Sequence, residues 1–217
     1  QGMIEWCTAH ILRYHLETDK YVINKNKNWD SKFIPSLSHE TNIGILGYGT
    51  LGKAVGKKLY KFGFNVFGWS KRKKNNEKNI NLFYGNDGLR KMLPEINILL
   101  ILLPLTKNTN NLINKKILMI LKKNSYIINA GRGQVLNDDD LINLLNNGHL
   151  KHATLDVFRE EPLPKKHQFW TNPKITISPH IAAVTRPSSS SKVIINNIVQ
   201  FEKNKQPLGI VNRGDEY

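Results

Sequence analysis

Three short segments carry side chains whose types could do chemistry together. NAGRG (129–133) sets Arg132 between two glycines, LDVFREEPLP (155–164) holds Glu160 and Glu161, and SPHIAA (178–183) places His180 between a proline and small residues. A guanidinium in a tight loop suits a two-pronged grip on a carboxylate. A histidine and a carboxylate are the titratable groups that a reacting cleft would need beside it. Singly, each has an ordinary explanation: a surface cation, a solvated loop acid, a histidine at a strand end. Each segment, however, adjoins an apolar, strand-like run. At successive strand ends of one sheet, the three groups point at one cleft.

A second constellation lies nearer the start. Gly47-Tyr48-Gly49-Thr50-Leu51-Gly52 reads G-x-G-x-x-G between a strand-like run and a helical one. In such a loop the first glycine permits the tight turn, the second lets a pyrophosphate approach the backbone, and the third lets helix and strand pack closely. Free N–H groups at the helix start then face the phosphates. Glycine-rich turns are common, but the strand–turn–helix setting makes residues 47–52 a dinucleotide site in preference to a structural turn. An NAD site carries an acid about 20 residues further on, gripping the ribose 2′-hydroxyl. Here Ser70, Lys71 and Arg72 hold that place. A carboxylate would repel a 2′-phosphate, whereas a hydroxyl and two cations would hold one. NADP(H) is therefore expected in preference to NAD(H). The competing reading is a solvated basic loop in a Lys-rich chain.

These groups need elements to position them. A helix is expected at 3–17, where Ile4, Cys7, Ile11 and Tyr14 recur at helical spacing. Residues 19–41 are polar, with Trp29, Phe33 and Ile34 as anchors. From residue 42, strands (42–47, 65–70, 80–84, 96–103, 125–130, 152–157, 174–179) alternate with helices (50–62, 87–93, 114–121, 137–146, 188–204). Asn137 caps its helix, Asp138, Asp139 and Asp140 suit its first turn, and Gly148 closes it. The alternation predicts an α/β fold, a Rossmann-type doubly wound parallel sheet. Such sheets bind ligands at the carboxyl ends of their strands.

Composition bounds the class. The chain has 217 residues, 40% hydrophobic, enough for a core. Its most apolar stretch, 96–105, falls short of the roughly 20 residues a membrane span needs. Cys7 is the single cysteine, so no intrachain disulfide can form and a reducing, cytoplasmic setting is expected. The net charge of +15 comes from lysines scattered along the chain, with Lys71-Arg72-Lys73-Lys74 as one local cluster. No recognition helix or aromatic platform accompanies it, so neither a nucleic-acid nor a membrane partner is expected. No metal site is expected either.

The order GYGTLG, LLPLT, INAGRG, LDVFREEPLP, SPHIAAVTRP resembles the D-isomer-specific 2-hydroxyacid dehydrogenases over essentially the whole chain, and most resembles their glyoxylate/hydroxypyruvate reductase branch. The resemblance implies a small 2-oxo or 2-hydroxy acid substrate. His180 would be the general acid, and Glu161, directly before Pro162, would pair with it in preference to Glu160. Arg132 would bind the substrate's carboxylate and carbonyl. Asp156 would lie near the nicotinamide carboxamide. Leu103, Pro104, Thr109 and Ala130 would line the cofactor groove, with His180 at its reacting end. It also implies a dinucleotide-binding domain over 1–185, and at 186–217 a remnant of a substrate domain whose N-terminal part the chain lacks. Arg186 is a further candidate contact for an anionic substrate. A homodimer is implied, with 3–17 and the Phe169-Trp170 segment as candidate surfaces, intrachain core being the equal alternative for both. The alternative is a catalytically incomplete dinucleotide-binding module or sensor.

Overall fold

The computed structural model describes residues 1–22, 32, 34–73, 75, 77–185 and 187–210. They divide into two compact units, Gln1–Ala182 and Ala183–Tyr217.

The first unit is built on seven strands: β1 (Asn42–Leu46), β2 (Asn65–Ser70), β3 (Asn81–Tyr84), β4 (Ile98–Ile101), β5 (Ser125–Asn129), β6 (Leu150–Leu155) and β7 (Ile175–Ile177). All adjacent pairs are parallel, in the order β3-β2-β1-β4-β5-β6-β7. The chain therefore reverses its direction of travel across the sheet between β1 and β4, the switch point at which a crevice opens beyond the strand ends. This is the Rossmann-type α/β sheet expected from the alternating pattern.

Side-chain alternation explains why helices cover both faces. On β4, Ile98 and Leu100 face one core, and Leu99 and Ile101 face the other, with all four buried. The first core takes α1 (Gly2–His15) and α3 (Thr50–Lys61), through residues such as Cys7, Ile11, Val55 and Leu59. The second takes α4 (Gly85–Met92), α5 (Lys115–Leu118) and α6 (Asp138–Asn146), through Leu89, Leu118, Leu141 and Leu145. A short α2 (Asp19–Val22) follows α1. The buried faces of α1 and the side chain of Phe169 are consumed by intrachain packing, while Trp170 stays half exposed with its indole N–H donating to the Pro164 carbonyl.

The structure departs from the pattern in three instructive places. The helix expected at 114–121 is α only over Lys115–Leu118, because Ile120 and Leu121 bond back three residues instead of four. β6 starts two residues earlier than the apolar run and stops at Leu155, since the Asp156 carboxylate already turns to the segment after β7. Ile34, expected to anchor the polar segment, is 86% exposed and anchors nothing. Trp29 and Phe33 lie outside the described residues. Asn137 caps α6 through the Asp140 N–H, and Gly148 beyond it takes a positive φ of 77°.

The second unit contains α7 (Pro187–Glu202), on which Val193, Ile194, Ile195, Ile198 and Phe201 are exposed. Asn197 exchanges hydrogen bonds with the backbone of Leu208. Among the described residues, no helix is long and apolar enough to cross a membrane, and no group of three His, Cys, Asp or Glu is placed to hold a metal ion.

Candidate active site

The glycine loop joins β1 to α3 at the switch point. Gly47 has φ 96°, and a Cβ there would come within 2.6 Å of the Leu102 carbonyl oxygen. A Cβ on Gly52 would sit 2.3 Å from the Gly47 carbonyl oxygen. Both positions are closed to larger residues by backbone. Gly49 differs, because a Cβ there would meet nothing within 4 Å. Its bare backbone borders open space. The N–H groups of Gly47 and Tyr48 are spent on the Trp69 carbonyl, and that of Gly49 on Gly47. The first-turn amides of α3, at Thr50, Leu51 and Gly52, have no acceptor within the helix, and no side chain caps them. They form a positive helix end beside the open space at Gly49, which fits a pyrophosphate. Leu51 is exposed at that end. The Tyr48 side chain turns away into the core, where Cβ atoms on Gly56 and Gly68 would strike its ring. Burial, with Glu77 beside it, pushes the Tyr48 phenol pKa up.

Ser70 ends β2 on the far side of β1. Its hydroxyl donates to the Arg72 carbonyl at 2.7 Å, folding the turn so that Lys71 and Arg72 are exposed at the sheet's edge. The Lys73 ammonium lies 5.8 Å from the centre of the Tyr84 ring, and Lys74 is outside the described residues. Glu77 is held by Lys53 at 3.4 Å and Lys57 at 3.2 Å, both on α3.

On the other side of the switch point, the segment after β4 is stapled by Thr109. Its hydroxyl donates to the Pro104 carbonyl at 2.7 Å and accepts from the Thr106 N–H at 2.8 Å. Leu103 and Ala130 are buried at the ends of β4 and β5, and Pro104 is half-buried.

The three titratable or charged candidates meet at the ends of β5, β6 and β7. His180 Nδ1 and the Glu161 carboxylate are 2.7 Å apart. The other Glu161 oxygen accepts from the Phe158 N–H at 2.8 Å. Burial alone would raise the Glu161 pKa, but the His180 hydrogen bond, the Phe158 N–H and the charges of His180 and Arg132 outweigh it and hold the pKa below the ordinary value. Arg132 is exposed, and its guanidinium donates to the Gly131 carbonyl at 2.7 Å. Glu160 is exposed beside this pair without an ion-pair partner among the described residues. Arg186 lies outside the described residues.

Asp156, expected near the nicotinamide carboxamide, is 1% exposed, and both of its carboxylate oxygens are engaged within the protein. One oxygen accepts from the Ser178 hydroxyl at 2.5 Å and the Ile181 N–H at 2.9 Å, and the other accepts from the Ala182 N–H at 2.9 Å. These three bonds hold the turn in which His180 takes φ 56°, an uncommon conformation for a residue with a side chain. Arg159 similarly pins the loop after β6, donating to the Leu136 carbonyl at 2.6 Å and to the Asn111 side chain. Sequence reasoning did not single out Ser178, Arg159 or the buried Asn129. The visible signal was a polar residue closing an apolar run, as in SYIIN (125–129).

The arrangement is an uncapped helix end beside open space, a basic strand end and a His–Glu pair with an arginine beside it, all at the carboxyl edge of one parallel sheet. The family model for the D-isomer specific 2-hydroxyacid dehydrogenase NAD binding domain matches residues 6–182. The chain is 39% identical over 210 residues to a protein named glyoxylate/hydroxypyruvate reductase A from Yersinia enterocolitica, covering 97% of this chain and 67% of that protein. Among solved structures, it resembles a D-isomer specific 2-hydroxyacid dehydrogenase from Xanthobacter autotrophicus in complex with NADPH and MES, with TM-score 0.94 and 31% identity, covering 100% of this chain and 89% of that one. It also resembles an NADPH-dependent glyoxylate/hydroxypyruvate reductase from Sinorhizobium meliloti in complex with NADP and sulfate, with TM-score 0.93 and 29% identity, covering 100% of this chain and 69% of that one.

Proposed function

Since the chain belongs to the D-isomer-specific 2-hydroxyacid dehydrogenases, we propose that it reduces a small 2-oxo acid, glyoxylate or hydroxypyruvate, to the 2-hydroxy acid with a preference for NADPH. The observation that carries this reading is the 2.7 Å contact of His180 with Glu161, beside Arg132. The bound nicotinamide would supply the hydride. The protein's part is orientation and one proton. Arg132 would grip the substrate carboxylate and hold the carbonyl in reach. Glu161 engages Nδ1 of His180, so the proton given to the carbonyl oxygen would leave from Nε2.

Cofactor binding would rest on the Gly49 backbone and the first-turn amides of α3 for the pyrophosphate. Ser70, Lys71 and Arg72 would meet a 2′-phosphate, because a hydroxyl and two cations favour the extra negative charge. The Sinorhizobium and Xanthobacter relatives, whose structures hold NADP and NADPH, support that preference. Leu103, Pro104, Thr109 and Ala130 would line the groove. In this reading, 1–185 is the dinucleotide-binding domain and 186–217 belongs to the substrate domain. The protein would work in the cytoplasm as a homodimer, and a monomer mass at micromolar concentration would count against the dimer.

The test is a titration with NADPH and with NADH, followed by glyoxylate or hydroxypyruvate. Tighter NADPH binding and oxidation of the bound cofactor are expected. Binding without oxidation would favour the dinucleotide-sensing alternative, and no binding of either cofactor would overturn the site.

A further inference from the structure

Arg132 is exposed, and among the described residues its guanidinium makes one hydrogen bond, to its neighbour's carbonyl, so its direction depends on the backbone beneath it. That backbone is held from below by one side chain, and the Arg132 carbonyl also accepts from the Val135 N–H at 3.3 Å. Asn129, the last residue of β5, is 1% exposed. Its Oδ1 accepts from the Gly131 N–H at 3.1 Å, and its Nδ2 donates to the Arg132 carbonyl at 3.2 Å. The two bonds hold the peptide units on both sides of Gly131–Arg132, and so set the Cα–Cβ direction of Arg132. Asn129 is itself anchored: its own carbonyl accepts from the Asp156 N–H at 2.9 Å. The same Asp156 holds the His180 turn with its carboxylate. Two adjacent strand ends thus carry two buried polar side chains, one under each loop of the site.

We propose that Asn129 is a positioning residue that aims Arg132 at the substrate carboxylate, acting through the Gly131–Arg132 backbone. This deepens the proposed function and rests on its reading of Arg132. A buried amide with one donor and one acceptor bond is required. Serine can accept from Gly131 but cannot reach the Arg132 carbonyl. Aspartate keeps the acceptor but sets an oxygen against that carbonyl.

The test uses the full 217-residue chain and three variants, Asn129→Ser, Asn129→Asp and Arg132→Ala. Four quantities are measured: NADPH affinity, affinity of the NADPH-loaded protein for oxamate, the hydrogen-exchange rate of the Gly131 amide and the NMR position of the Arg132 Nε–Hε resonance. Asn129→Ser and Asn129→Asp should bind NADPH within about twofold of the unsubstituted chain and oxamate roughly tenfold more weakly, the scale of one misaligned charged hydrogen bond. The Arg132 resonance should shift in both. The Gly131 amide should stay protected in Asn129→Asp, which keeps its acceptor. Unchanged oxamate affinity and an unmoved Arg132 resonance would overturn the proposal. Equal loss of NADPH and oxamate binding would also overturn it, by showing a merely structural residue. If the unsubstituted chain binds NADPH but not oxamate, the reading of Arg132 fails, while the Gly131 and Arg132 signals still judge the Asn129 clamp.

Discussion

His180 and Arg72 are the residues whose loss should be most diagnostic. If His180 delivers the proton, His180→Ala should lower turnover by roughly 10²–10⁴-fold, the contribution expected of a positioned general acid. NADPH affinity should be nearly unchanged. A fall in cofactor affinity without a fall in turnover at saturation would make His180 structural. Arg72 answers a different question. Removing a cation from a 2′-phosphate should weaken NADPH by about tenfold or more and leave NADH little affected. Direct titration of Arg72→Ala with both cofactors checks this, and equal weakening of the two would refute the phosphate assignment. Neither role was readable from a residue in isolation. A histidine in SPHIAA acquires its meaning from Glu161, which stands 19 positions earlier in the chain and 2.7 Å away in space.

At the scale of the element, the glycine loop and α3 offer a comparison within one motif. A Cβ at Gly52 would collide with the Gly47 carbonyl oxygen, so Gly52→Ala should destabilise the fold by about 1–3 kcal/mol, the usual cost of overpacking. A Cβ at Gly49 meets nothing, so Gly49→Ala should leave the melting temperature nearly unchanged. It should still weaken NADPH strongly if the pyrophosphate lies against that backbone. Thermal melts with and without NADPH separate the two effects. A Gly49→Ala protein that binds NADPH normally would move the phosphates elsewhere. The helix start and the three glycines were legible because strand, turn and helix adjoin in sequence. The inward turn of Tyr48 was not, since it depends on the absence of side chains at Gly56 and Gly68 across the packing.

For the whole molecule, the informative group is the half-buried His152, away from the site, where α1 closes over the sheet. The Tyr14 hydroxyl bonds to Thr154 at 2.5 Å and to His152 Nδ1 at 2.9 Å. Burial, helped by the Arg13 charge, lowers the His152 pKa from 6.5 to about 4, against an opposing pull from Asp19. The folded protein therefore binds fewer protons than the unfolded chain between those values. Stability linked to His152 is complete above about pH 6.5 and is lost as pH falls towards about 4. Urea unfolding across that window should show a shallower acid loss in His152→Asn than in the unsubstituted protein. Parallel pH profiles would mean that His152 titrates normally. Cys7, in the same core, has its thiol pushed up to about 12, chiefly by burial and further by Asp156. It should therefore resist thiol reagents until the fold opens.

The sequence by itself determined the class of fold, the glycine loop and the set of candidate groups, because each rests on local periodicity or on adjacent residues. Apolar runs such as those around Ile98–Ile101 must be buried on both faces, and the helical stretches between successive runs are the crossovers that a parallel sheet requires. Tertiary structure alone decided which groups touch. It seated Asp156 beneath the His180 turn and Asn129 beneath Arg132, and it directed Glu77 to Lys53 and Lys57. Those pairings depend on strand order and on hydrogen-bond geometry across the sheet. A linear pattern carries neither, because residues far apart in the chain meet only once the sheet has closed.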